Sequence, residues 1–141
     1  MFKKILVPVD LAEPELTAVA LDEAVALAKN SHADLRLVNV QSLVPVAFID
    51  YVPPNFDVQL RETSQQELEE TAKKLDYPQN QVSFVVRFGA VYPEVLAEAT
   101  QWGADLIVLC SHRPTMATYL IGSNAKTIVR HAKCSVLVLR K

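Results

Sequence analysis

The sequence predicts an α/β fold, a three-layer α/β/α sandwich around a five-stranded parallel sheet. Three observations carry this expectation. Apolar runs of strand length alternate with stretches of helical periodicity along the whole chain. One of these runs, Asp105 to Cys110 (DLIVLC), is continuously apolar after its first residue, the pattern of a strand covered on both faces by helices. The segments between successive strands are mostly helical, as parallel neighbours joined by right-handed crossovers require. With 141 residues there is chain enough for one domain with a substantial core. No internal repeat or low-complexity stretch divides it, so residues 1–141 are read as a single domain.

The elements follow in order. Lys4 to Val9 (KILVPV) is a short apolar strand, and Pro8, which has no N–H for a ladder, belongs at its end. Glu15 to Asn30 is a helix, with Leu16, Ala20, Ala24 and Leu27 on one face. Asp34 to Val40 (DLRLVNV) is the second strand, although Arg36 and Asn39 interrupt its apolar pattern. Residues Gln41 to Asp57 form a long, proline-containing and unusually apolar connection. Such a segment either packs back over the domain or serves as a lid for a ligand or partner. Val58 to Leu75 is a polar-rich helix with a narrow stripe of Leu68, Ala72 and Leu75, and Glu69 and Lys73 stand at favourable i,i+4 spacing. Val82 to Phe88 (VSFVVRF) is β-rich and ends in a turn at Gly89. Pro93 suits the first turn of a helix through Val95, Leu96 and Ala99 that Gly103 closes. The Asp105 to Cys110 strand is followed by a second unusual connection, Ser111 to Ile121. A helix from about Ser123 to His131 and a last strand, Val136 to Leu139, complete the chain.

Composition removes several function classes. Half of the residues are apolar, which argues against a disordered chain. Fourteen basic against sixteen acidic residues give a net charge of -2, without the basic excess of a general nucleic-acid binder. The apolar runs fall short of a membrane span. The opening MFKKILVPVD is interrupted by Asp10, and no cleavage site follows it, so a cytoplasmic protein is expected. Cys110 and Cys134 lie beside apolar runs and complete no metal-ligand spacing. His32, His112 and His131 are too scattered for zinc.

Open parallel sheets bind ligands beyond the carboxyl ends of their strands, where strand order reverses. Val9-Asp10 and the segment Ser111 to Asn124 should meet there. The Asp10 carboxylate can accept from two ribose hydroxyls, or cap the turn that follows it. Gly122-Ser123-Asn124 opens a helix, whose free N–H groups and dipole suit phosphate, although Ser123 or Asn124 can equally act as an ordinary cap. Arg113 is a candidate phosphate contact or a surface residue. His112 has no recognisable nucleophile or orienting partner, so no catalytic residue is assigned. Neither GxGxxG nor GxxxxGK[ST] occurs, which disfavours a nicotinamide dehydrogenase and a P-loop hydrolase.

Three blocks carry a resemblance across essentially the whole chain. They are KKILVPVD (Lys3 to Asp10), FGAVYPEVLAEATQWGADLIVL (Phe88 to Leu109) and SHRPTMATYLIGSNAKTIVRHAKCSVLVLR (Ser111 to Arg140). In these the sequence resembles the universal stress protein family, and its SHRP, IGSNA and VRHA segments look like the small single-domain F-type members of enteric bacteria. The resemblance implies an adenine-nucleotide alpha hydrolase-like sheet of order 3-2-1-4-5. It also implies ATP, with or without Mg2+, in the sheet crevice. The site would be built from Pro8, Val9, Asp10 and Val40 on one side and from Ser111, His112, Arg113, Gly122, Ser123 and Asn124 on the other. Asp10 would hold the ribose, and Gly122 and Ser123 the phosphates. The family motif G-x2-G-x9-G-[ST] is kept only at Gly122-Ser123. Cys110 stands at the first glycine, and Arg113 stands near the second, with eight residues between it and Gly122. Two lost glycines change how the backbone can curl around a triphosphate.

The expected function is that of a nucleotide-dependent sensor or regulator of the stress response. A nucleotide-independent adaptor for an unknown protein partner is the alternative, and a slow ATPase is a third reading. The apolar last strand is a candidate sheet edge that self-pairing would cover. The resemblance agrees, implying a homodimer, with a tetramer as the larger alternative. Neither nucleic acid nor membrane is an expected partner.

Overall fold

The computed structural model describes residues 1–42, 50–111 and 123–140, with Ser123 described by its backbone. Five strands form one parallel sheet: β1 (Lys4–Pro8), β2 (Asp34–Gln41), β3 (Val82–Phe88), β4 (Leu106–Ser111) and β5 (Ser135–Arg140). Their order is β3-β2-β1-β4-β5, as expected. Among the described residues four α-helices alternate with them: α1 (Pro14–Ser31), α2 (Phe56–Lys73), α3 (Val91–Trp102) and α4 (Ser123–His131).

Strand side chains alternate between the two faces of the sheet, which creates two cores. Ile5, Val7, Leu35, Leu37 and Val108 pack with Ala20, Ala24 and Ala28 of α1 and Leu68 and Ala72 of α2. Leu6, Val38, Ile107 and Leu109 face the other way, against Val95 and Ala99 of α3 and Ala125 and Ile128 of α4. Ile5, Leu6 and Val7 are all fully buried, which places β1 at the centre of both layers. The buried face of α1 carries Thr17, Ala20, Leu21, Ala24, Val25 and Ala28. It is rotated from the expected stripe: Leu16 lines a cleft and Leu27 packs at the core margin.

Several boundaries differ from the sequence reading for identifiable reasons. Helix α2 begins at Phe56, which shortens the apolar connection before it. Strand β5 gains Ser135 and Arg140 because ladder pairing with Leu106 and Ser111 continues past the apolar residues. Asp105 precedes β4 and does a different job. Its Oδ2 accepts from the Lys3 N–H at 2.8 Å and its Oδ1 from the Lys4 N–H at 3.1 Å, which ties the start of β1 to that of β4. Gly103 closes α3 in the left-handed conformation (φ 81°), donating its N–H to the Ala99 carbonyl, as expected.

Helix α3 is pinned to the sheet by an ion-pair network. Glu98, 5% exposed, accepts from Arg36 Nη1 of β2 at 2.9 Å and from Arg87 Nη1 of β3 at 3.0 Å. Arg87 Nε also donates to Glu94 at 2.9 Å. Burial works against the charge on Arg87, but its hydrogen bonds and charge interactions with Glu94 and Glu98 outweigh burial and hold it above its ordinary value. Arg36 also lies over the Trp102 ring, 4.8 Å from its centroid. Gly89 fits beneath Glu94 at φ 143°, where a Cβ would stand 3.1 Å from Glu94 Cγ.

Candidate functional site

The sheet order reverses between β1 and β4. The chain leaves β1 for its neighbour β2 on one side, while β4 lies on the other. At such a switch point the connections diverge and leave a crevice beyond the carboxyl ends of the strands. A cleft of about 800 Å³ occupies this place. That is the size of a pocket for a ligand as large as a nucleotide. The exit of β1, the end of β2 and the end of β4 form its base. Val91 and Val95 of α3, Phe56 and Leu60 of α2, and Asn124 of α4 form its walls.

The exit of β1 is a tightly bonded turn. The Val9 N–H continues the ladder to the Val38 carbonyl at 2.8 Å. Asp10 Oδ1 then accepts from the Ala12 N–H at 2.9 Å, a side-chain turn that satisfies a donor ahead of α1. Thr17 Oγ1 donates to the Asp10 carbonyl at 3.0 Å and accepts from the Asp10 N–H at 3.2 Å. Both backbone polar groups of Asp10 are therefore held by one side chain of α1. Asp10 is exposed, and its Oδ2 has no partner among the described residues. Capping occupies one oxygen of the carboxylate and leaves the other without a partner among the described residues, so the two roles weighed for Asp10 are compatible.

The opposite side of the crevice is the start of α4. Helix N-termini present unpaired N–H groups and the positive end of the dipole. Asn124 is exposed and lines the cleft. The charged side chains among the described lining residues are Asp10 and Glu13, both acidic.

Of the residues expected at a site, Pro8, Val9, Asp10, Val40 and Asn124 all line this one cleft. Ser123 opens α4. Ser111, the last residue of β4, is buried, and its hydroxyl donates to the Leu139 carbonyl at 3.3 Å, tying β4 to β5 instead of lining the cleft. His112, Arg113 and Gly122 lie outside the described residues, as does the apolar stretch 43–49. Cys110 lines the cleft, and Cys134 is half-buried in a second groove between the carboxyl ends of α3 and α4. Burial pushes the Cys134 thiol up; a hydrogen bond from its own backbone opposes this in part, and the charge of Asp105 adds a lesser upward push. Among the described residues no group of three or more His, Cys, Asp or Glu could hold a metal ion.

Three polar residues that line the cleft escaped the sequence reading. Thr17 was hidden in an apolar helix pattern. Asn39, 3% exposed, donates from Nδ2 to the Val9 carbonyl at 2.8 Å. Gln41 donates from Nε2 to Asn39 Oδ1 at 2.7 Å. The signal for Asn39 was visible as the polar residue interrupting a buried strand. Its meaning needed the neighbouring strand.

Comparison with known proteins agrees with this fold. Residues 1–140 match the Universal stress protein family. The chain is 34% identical over 144 residues to universal stress protein G of Escherichia coli O157:H7, covering 99% of this chain and 100% of that protein. Among solved structures, universal stress protein UspA from Lactobacillus plantarum superposes with a TM-score of 0.75 at 23% identity, over 98% of this chain and 97% of that one. A universal stress protein in complex with cAMP superposes with a TM-score of 0.62 at 20% identity, over 98% and 96%.

Proposed function

The chain belongs to the universal stress protein family, and from that premise we propose that its switch-point cleft binds an adenine nucleotide, ATP in the first instance, and that the protein acts as a nucleotide-dependent regulator in the stress response. One observation carries the reading. A cleft of about 800 Å³ has the Asp10 carboxylate at one side and the amino end of α4 at the other. Asp10 Oδ2 would accept from the ribose hydroxyls, while Oδ1 keeps its bond to Ala12. Pro8, Val9 and Val40 would line the base and sugar. Phosphates would lie toward Gly122, Ser123 and Asn124, where N–H groups are offered. His112 and Arg113 would supply the positive charge that the described walls lack. An Mg2+ ion in this reading arrives on the triphosphate and keeps most of its waters. The cAMP complex of a relative with the same fold supports an adenine ligand and makes cAMP the natural competitor. In the same reading the protein works in the cytoplasm as a homodimer paired along β5. Among the described residues no helix is long and apolar enough to cross a membrane.

The test is calorimetric titration of the full chain with ATP and with cAMP. The variant is Asp10→Asn, which keeps an oxygen for the Ala12 N–H but removes the carboxylate. Saturable ATP binding is expected, weakened roughly tenfold in the variant, the scale of one hydrogen bond to a charged group. Wild-type protein that binds neither nucleotide would overturn the reading and favour the nucleotide-independent adaptor. Equal affinity in the variant would remove Asp10 from the site.

A further inference from the structure

We infer that Gln41 selects the nucleobase, an inference that rests on the nucleotide reading of the cleft. The argument begins at a carbonyl. The Val9 carbonyl can only accept, so the Asn39 carboxamide must turn Nδ2 toward it, which it does at 2.8 Å. Asn39 Oδ1 is thereby left as an acceptor, and Gln41 must meet it with Nε2, which it does at 2.7 Å. The orientation of both amides is therefore dictated by the Val9 carbonyl at the exit of β1. Gln41 retains Oε1 and one N–H, and neither has a partner among the described residues. Asn39, Gln41, Val9 and Val40 all line the cleft, and Gln41 is half-buried at the carboxyl end of β2.

A carboxamide held in this way presents an acceptor beside a donor. The complementary edge is an exocyclic amino group beside an unprotonated ring nitrogen. Adenine offers this pattern, and cytosine offers it on a single ring. Hypoxanthine and guanine carry a carbonyl oxygen where adenine carries the amino group, which places acceptor against acceptor. Asn and Gln pair with adenine by the same logic in nucleic-acid recognition. Gln41 thus distinguishes amino-bearing from oxo-bearing bases, while Asp10 and the α4 terminus hold the parts that all ribonucleotides share. Val9 is the fixed point of the device, because it lies beside Asp10 and sets the direction of the hydrogen-bond chain that ends at the base.

The experiment compares ATP with ITP, which differ at the purine 6 position, by calorimetry on wild-type protein, Gln41→Leu and Gln41→Glu. The wild type is expected to favour ATP, and the ATP-to-ITP affinity ratio is expected to fall about tenfold in Gln41→Leu. Gln41→Glu keeps the shape but has no N–H for Asn39 or for the base, and its ratio is expected to fall as well. Circular dichroism melting checks that each variant is folded. A ratio unchanged in both folded variants overturns the role of Gln41 while leaving the nucleotide site standing. Wild-type protein that binds neither ATP nor ITP overturns the site and this inference with it.

Discussion

Replacing Glu98 by glutamine tests whether the ion-pair network holds α3 to the sheet. Glu98 is its hub: its side chain is 6% exposed, against 28% for Arg36 and 19% for Arg87. Glutamine keeps the shape, so packing survives. It loses the charge, and its amide turns a donor toward a guanidinium that can only donate. A hydrogen bond to a charged group contributes about 1.5–3 kcal/mol, so the two bonds set an upper limit of about 3–6 kcal/mol. Two effects reduce the loss. Both guanidiniums reach water, and Arg87 keeps its bond to Glu94. The expected cost is about 2 kcal/mol, below that of stranding a fully buried charge. In a domain of this size it lowers Tm by roughly 6–8 °C. With a urea slope of about 2 kcal/mol/M, the unfolding midpoint falls by about 1 M. Equilibrium urea unfolding followed by circular dichroism reads this directly. A midpoint within about 0.2 M of wild type would refute the reasoning and leave apolar packing, with Val95 and Ala99 at its centre, as what holds α3 to the sheet. The consequence reaches the site, because Val91 and Val95 on the same helix form a wall of the cleft.

Two further outcomes are expected. Tyr77 donates its hydroxyl to the Ala33 carbonyl at 2.5 Å, with the Ala28 carbonyl at 3.3 Å, and burial followed by the charge of Asp34 holds the phenol above its ordinary value. The folded state therefore binds this proton more tightly than the unfolded chain does. The resulting stabilisation is complete below about pH 10 and is lost as pH rises from there through the folded value. The stability gap between wild type and Tyr77→Phe should narrow above about pH 10 in urea titrations, and a gap that stays constant across that range would count against it. Strand β5 is the outer strand on its side of the sheet, and Val136 to Leu139 are half exposed, so pairing along it would cover an apolar edge. Equilibrium sedimentation at micromolar concentration should give twice the chain mass, and a monomer throughout would refute the β5 pairing.

Much of the architecture was legible before any coordinates. Strand and helix positions follow from apolar periodicity, which is a local property of the chain. The DLIVLC run announced a strand buried on both faces, and β4 is one, with Leu106 to Leu109 buried. Pro8 marked the end of β1 and Gly103 the end of α3, because each residue type tolerates few backbone settings. Asp10 was legible as a candidate, since a carboxylate directly after the first strand stands at the switch point, where it can cap the turn or accept from a ligand.

Other features depend on which strands lie side by side, and nothing local encodes that. Asp105 ends a turn, yet its partners Lys3 and Lys4 are about one hundred residues away. Glu98 finds its partners only when β2 and β3 bring Arg36 and Arg87 under it. The division of labour between the Asp10 oxygens, and the direction of the Asn39 to Gln41 chain, were decided in the same way. A polar group removed from water must find its partner among whatever the register of the sheet places beside it. The sequence by itself determined the elements, their order and the apolar face of most of them. The tertiary structure decided the pairings, because register across the sheet is settled only when both cores close.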